Sequence, residues 1–156
     1  MKRITLALLA FSLSSAAAFA QTSANPVTQV ANKTKRAADV VKFAEMKHDF
    51  GKIKQGVPVT FDFTFENVGA APIVIESAAA SCGCTTPTWP KTPITKAKAD
   101  KISAGFNAAA PGPFDKTITV KVAGYDQPLE LRINGEVLSK EDYAKYEAST
   151  AKKNSK

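Results

Sequence analysis

Val57-Pro58-Val59-Thr60-Phe61-Asp62-Phe63-Thr64-Phe65-Glu66 sets Val57, Val59, Phe61, Phe63 and Phe65 against Pro58, Thr60, Asp62, Thr64 and Glu66. Successive side chains of a β-strand point to opposite faces, so a period of two makes one face apolar and the other wet. A helix would spread the same five residues around its axis. The stretch therefore reads as the strongest strand of the chain, half-buried against a second layer.

Working outward, the same signal recurs at short intervals. Asn67-Val68-Gly69 supplies turn chemistry, and Pro72 opens the β-branched run Ile73-Val74-Ile75. Further strands are expected over Ile102, Ala104 and Phe106, over Ile118, Val120 and Val122, and over Leu129, Leu131, Ile133 and Val137. A first strand spans Val41 to Phe50 and is closed by Gly51. Six or seven short strands separated by turn residues, without long helical periods between them, predict an all-β, antiparallel two-layer sandwich over residues 40–138. The phenylalanines and aliphatics suffice for one core, with no disulfide staple required.

The flanks differ in kind. Lys2-Arg3, the apolar run Ile4 to Leu13 and Ala18-Phe19-Ala20 have the three-part layout of a secretory signal peptide over residues 1–20, cleaved after Ala20. That run is too short for a comfortable membrane span, and no later stretch is long enough, so the mature chain is expected to be periplasmic or secreted with no transmembrane segment. Residues 21–39 are polar and small, a composition that does not offset the entropy of ordering, and are expected to form a flexible linker. Residues 139–156 are polar too, with Ser139 and the acid three positions on suggesting a short capped helical turn. There Tyr143 and Tyr146 are spaced to rest on the sandwich.

Charge narrows the class of partner. Removing Lys2 and Arg3 from the 21 basic residues leaves 19 against 14 acids, a formal +5. Most of that excess sits in the two flanks. The middle is nearly neutral and carries no basic stripe, which argues against nucleic acid and leaves a protein as the expected partner.

Catalysis is expected to be absent. His48 is the single histidine, and no phosphate loop, zinc motif or calcium loop occurs. The chemistry-bearing stretch is Ser81-Cys82-Gly83-Cys84-Thr85-Thr86, which holds both cysteines. An intersheet disulfide needs partners far apart in sequence, which these are not. Bonded to each other they close a tiny ring worth only about 1.6 kcal/mol in loop entropy. The Cα atoms of an extended segment at this spacing would lie roughly 6.5–7 Å apart, so the backbone must bend, as Gly83 permits. Four readings follow: a local disulfide at a turn, a thiol–disulfide redox pair, a soft-metal site for Cu(I) on Cys82 and Cys84, or bridging to another chain. No resident cofactor is expected.

These segments together resemble a known family, the bacterial exported domains of unknown function 1573. The resemblance runs from about Phe43 to Val137. It is carried by His48-Asp49-Phe50-Gly51-Lys52-Ile53, Phe63 to Gly69, Pro72 to Ile75, Ser81 to Thr85, Pro111 to Ile118, and Leu129 to Val137 with its Asn134-Gly135-Glu136. It implies an immunoglobulin-like sandwich and export, and it brings neither an established activity nor functional residues. Two stretches depart from the pattern. Thr95-Lys96-Ala97-Lys98 replaces a Pro-Gly turn, predicting a longer or looser connection, and Ala123-Gly124 replaces a Ser-Asn turn. The resulting expectation is an exported, non-enzymatic interaction or structural module, with thiol or copper chemistry at Cys82-Gly83-Cys84 as the alternative.

Overall fold

The computed structural model describes residues 34–154. The leader, its cleavage point after Ala20 and most of the expected linker lie outside the described residues. Eight strands are present among them: β1 (Val41–Phe43), β2 (Lys47–Lys54), β3 (Val59–Asn67), β4 (Ile75–Ala80), β5 (Thr85–Thr88), β6 (Ala99–Phe106), β7 (Gly112–Val122) and β8 (Leu129–Leu138). They form two four-stranded sheets, in the orders β1-β3-β6-β5 and β2-β8-β7-β4. A helix, α1 (Lys140–Asn154), follows. The all-β sandwich is as expected, with one local difference: β2 pairs parallel to β8, placing Lys47 opposite Arg132.

The deciding stretch behaves as its periodicity requires. In β3, Phe63 and Phe65 are buried between the sheets while Thr64 and Glu66 face water. Burying each phenylalanine contributes about 1.5–3 kcal/mol. They meet Ile102, Ala104 and Phe106 of β6 and, from the other sheet, Ile118, Val120, Leu131 and Ile133 in a single core cluster. Val57 is the exception, 48% exposed. Its amide closes a turn onto Lys54 O, which leaves it outside the pleat.

The expected first strand is in fact two. The amide of Ala44 makes the last bond to β3 and Met46 O the first to Arg132 of β8, so the chain changes sheets at Ala44–Met46. No glycine or proline marks that switch, although the inward-facing positions change parity across it, from Val41 and Phe43 to His48 and Phe50. Gly51 does not end the segment; it sits within β2 at φ +63°, where the register against β8 shifts between Asp49 and Lys52. β8 passes close by: a Cβ on Gly135 would meet Gly51 O at 2.8 Å and Phe114 Cζ at 2.9 Å.

The expected third strand starts late. Ile73 makes an isolated bridge to Ile94, and β4 begins only at Ile75. The connection is pinned by Asn67, fully buried at the end of β3. Its Nδ2 donates to Ala71 O and Ile94 O, both at 2.9 Å, and its Oδ1 accepts from the amide of Gly69. The Thr95–Lys98 segment is tighter than expected. Lys98 N donates to Thr95 O, closing a turn that holds Ala97 in the left-handed region at φ 58°.

Two further boundaries move. The expected linker runs to Asp39, yet Ala37 is fully buried and Lys35 N bonds the Asp126 carboxylate. At the other end the short helical turn is a 15-residue helix. Ser139 caps it, accepting from Asp142 N and donating to the Asp142 carboxylate. Tyr143 and Tyr146 reach the sandwich through lysines of β2, with Lys54 Nζ 5.9 Å and Lys52 Nζ 5.4 Å from the ring centres. None of the helices among the described residues is long and apolar enough to cross a membrane.

Candidate functional site

Each sheet has two edges, and they are finished differently. β1 is only three residues long. β5 carries Pro87, which has no amide to offer an incoming strand. β2 is lined by Lys47, Lys52 and Lys54, is bent by the register shift, and has α1 beside it. β4 is different. Its six residues, Ile-Glu-Ser-Ala-Ala-Ala, contain no proline and one charge, and its one neighbour in the sheet is β7. Ile75 and Ala78 point into the core, and Glu76 and Ala79 face solvent.

The cysteine loop grows directly from that edge. Ser81 N donates to Thr117 O at 2.9 Å, prolonging the ladder with β7. The chain then crosses to the other sheet, where Cys84 O accepts from Asn107 N at 3.1 Å and β5 begins along β6. Sequence reading missed β5, because Thr85-Thr86-Pro87-Thr88 has no apolar alternation to announce it. Gly83 lies at the tip, with no atom within 4 Å of where a Cβ would stand. Its role is the turn itself rather than packing.

Cys82 and Cys84 are joined to each other by a disulfide. Their Cα atoms are 5.4 Å apart, shorter than the extended spacing, as the bend requires. The two sulfurs have different surroundings. Cys82 Sγ lies 3.7 Å from Thr85 Oγ1, and Thr85 is only 4% exposed. Cys84 instead lines a cavity of about 250 Å³, together with Phe106, Asn107, Pro113, Phe114 and Lys116. The floor of that cavity is the stacked pair Phe106–Phe114, one ring from each sheet, with centres 4.1 Å apart.

His48 is not brought to the cysteines. Its ring stacks on Phe61 at 3.6 Å, meets Phe50 edge-on, and places Nδ1 3.5 Å from Glu45. It pairs with Ile133 and Ile133 with Lys116, so three strand spacings, about 14 Å, separate its strand from β4. The histidine closes the β1–β2 side of the sandwich as a packing ring. Thr85 and Lys116 are the residues that sequence reading did not single out. Thr85 adjoins Cys84 and was within reach of inspection; Lys116 is placed there by β7 alone.

A family model described as "Protein of unknown function (DUF1573)" matches residues 41–137. No curated protein matches the chain. Among solved structures the fold is similar to a protein of unknown function from Porphyromonas gingivalis W83, at 15% identity over 63% of this chain and 46% of that one, with TM-score 0.54. It is similar also to the ASH/PapD-like domain of human CEP192, at 9% identity over 88% of this chain and 99% of that one, TM-score 0.57. VesB protease of Vibrio cholerae shares 14% identity over 64% of this chain and 32% of its own, TM-score 0.51. The present chain thus spans less than half of the Porphyromonas protein and about a third of the protease. At these identities the likeness concerns the fold alone.

Proposed function

Because the chain belongs to the DUF1573 family of proteins of unknown function, we propose a role from its own surface: an exported interaction module that takes an extended segment of another protein along the β4 edge. The observation that carries this reading is the contrast among the four edges. β4 leaves backbone N–H and C=O groups directed away from β7 with neither proline nor a row of charges to discourage pairing. Strand addition there supplies main-chain hydrogen bonds for affinity, and side-chain fit supplies specificity. Nothing in the fold indicates an enzymatic activity, and no cluster of three or more His, Cys, Asp or Glu that could hold a metal occurs among the described residues.

The test is photo-cross-linking in producing cells. With the reactive side chain at Glu76 or Ala79 on the β4 edge, a cross-linked partner is expected; at Lys121, on the neighbouring inner strand, it is not. Equal capture at Lys121, or none at β4, overturns the reading. Export rests on the Lys2 to Ala20 leader, and the protein recovered from the periplasm or medium is expected to have the mass of a chain starting at Gln21. A mass starting at Met1 removes that part of the proposal.

The placement of the disulfide favours a second reading, thiol–disulfide exchange. Its loop is solvent-facing at Gly83, and one of its two cysteines, Cys84, is among the residues that line a cavity. Cu(I) binding by the same sulfurs requires reduction first, since they are bonded to each other.

A further inference from the structure

The two sulfurs of the disulfide are not equivalent, and the difference gives the exchange a direction. We propose that an incoming thiolate attacks Cys84 from the cavity and that Cys82 is the leaving sulfur, held by Thr85; this rests on the thiol-exchange reading above. A thiolate displaces a disulfide sulfur by attack on one sulfur while the other departs with the bonding pair, so which sulfur is reached and how the other is stabilised decide the outcome. Cys84 lines the cavity together with Phe106 and Phe114, and Lys116 is another of its lining residues, so a positive charge is available to attract an anion that approaches there. Cys82 has the buried hydroxyl of Thr85 at 3.7 Å. A disulfide sulfur carries no hydrogen, so in the oxidised protein Thr85 is the donor of this contact, and it remains a donor to the thiolate that forms.

The step balances without another reagent. The partner sulfur bonds to Cys84 Sγ, the bond between Cys84 and Cys82 breaks, and the electron pair stays on Cys82 Sγ, which later takes a proton from water. A second thiol of the partner then attacks its own sulfur in the mixed disulfide and releases Cys84. The partner dithiol is oxidised by two electrons and the cysteine pair is reduced by two. The substrate class is an exposed dithiol in a protein segment with both apolar and polar neighbours, matched to a cavity that sets phenylalanine, proline and alanine beside Asn107 and Lys116. Cys84 is the reacting residue; Thr85 acts on it through Cys82 and is a positioning residue.

The test uses the oxidised full chain with two small thiols, anionic glutathione and neutral 2-mercaptoethanol, quenched in acid, alkylated and sequenced by mass spectrometry. The mixed disulfide is expected on Cys84 in at least fivefold excess over Cys82. Thr85→Val is expected to slow exchange about tenfold with both thiols, Thr85→Ser to restore it, and circular dichroism to show both variants folded. Lys116→Gln is expected to slow glutathione about threefold more than 2-mercaptoethanol. An adduct mainly on Cys82, or unchanged rates in Thr85→Val, overturns the assignment while exchange itself survives. No adduct on either cysteine in the folded protein overturns the assignment and the exchange reading together.

Discussion

β2 and β4 close the two ends of one four-stranded sheet, and they do so by opposite means. β2 carries lysines, a glycine at φ +63° that bends it, and a helix whose tyrosines lie under Lys52 and Lys54. β4 carries alanine and serine and ends in the cysteine loop. Charges, bulges and covering helices are the devices by which natural sheets refuse further strands. Both ends have a register shift, but only β2 adds a row of lysines and a helix alongside, and the proposed strand addition at β4 rests on that asymmetry.

The comparison breaks most severely at Asn67. Asn67→Ala removes the side-chain donor to Ala71 O and to Ile94 O, of which only the second keeps another donor, the Ile73 amide, at the start of the path into β4. A loss of about 3 kcal/mol in urea unfolding is expected, with amide exchange rising in β4 before β2. Equal loosening of both edges would show that Asn67 supports the whole sandwich rather than one side. Gly135→Ala attacks the opposite edge, since its methyl group would collide with Gly51 O and Phe114. Overpacking of this kind costs roughly 2 kcal/mol, and here exchange is expected to rise first in β2; no change in stability would mean that β2 yields freely.

The smallest effect tests the covering helix. Asp142 is held below the usual carboxylate range by the Ser139 hydroxyl, then by Lys145. A carboxyl whose pKa is lowered on folding stabilises above its unfolded value, near 4, and loses that contribution as pH falls through the lowered one. Helical ellipticity is therefore expected to decline below about pH 4 while the sheet signal persists, and Ser139→Ala should blunt the pH dependence. Ellipticity that stays flat down to pH 2 would separate the cap from the helix.

How much of this was legible in the sequence depends on whether the controlling interaction was local. β3, β6, β7 and β8 were readable because each buries alternate side chains on one face, a pattern written along a single strand. The split between β1 and β2 was not, because partners in different sheets cause it and Ala44–Met46 has no turn residue to betray it. Spacing required a bend at Gly83 if its neighbours bond each other, and it left that bond as one of four readings. The unequal surroundings of the two cysteines did not follow from spacing, since Lys116 arrives from β7 and Phe106 from β6. Ala97 lies between these cases: the departure from the family's turn was visible, but not that alanine would take the left-handed conformation left by the missing glycine.

The parallel pairing of β2 with β8 also bears on timing. Lys47 lies in register with Arg132, in a strand that begins at Leu129. A chain emerging N-terminus first has β2 ready long before its neighbour in the sheet has been made. That sheet cannot be completed until synthesis reaches Leu138. Such long-range pairings make folding slow relative to local contacts, so this domain is expected to reach its native state late, as a whole, rather than strand by strand at the ribosome.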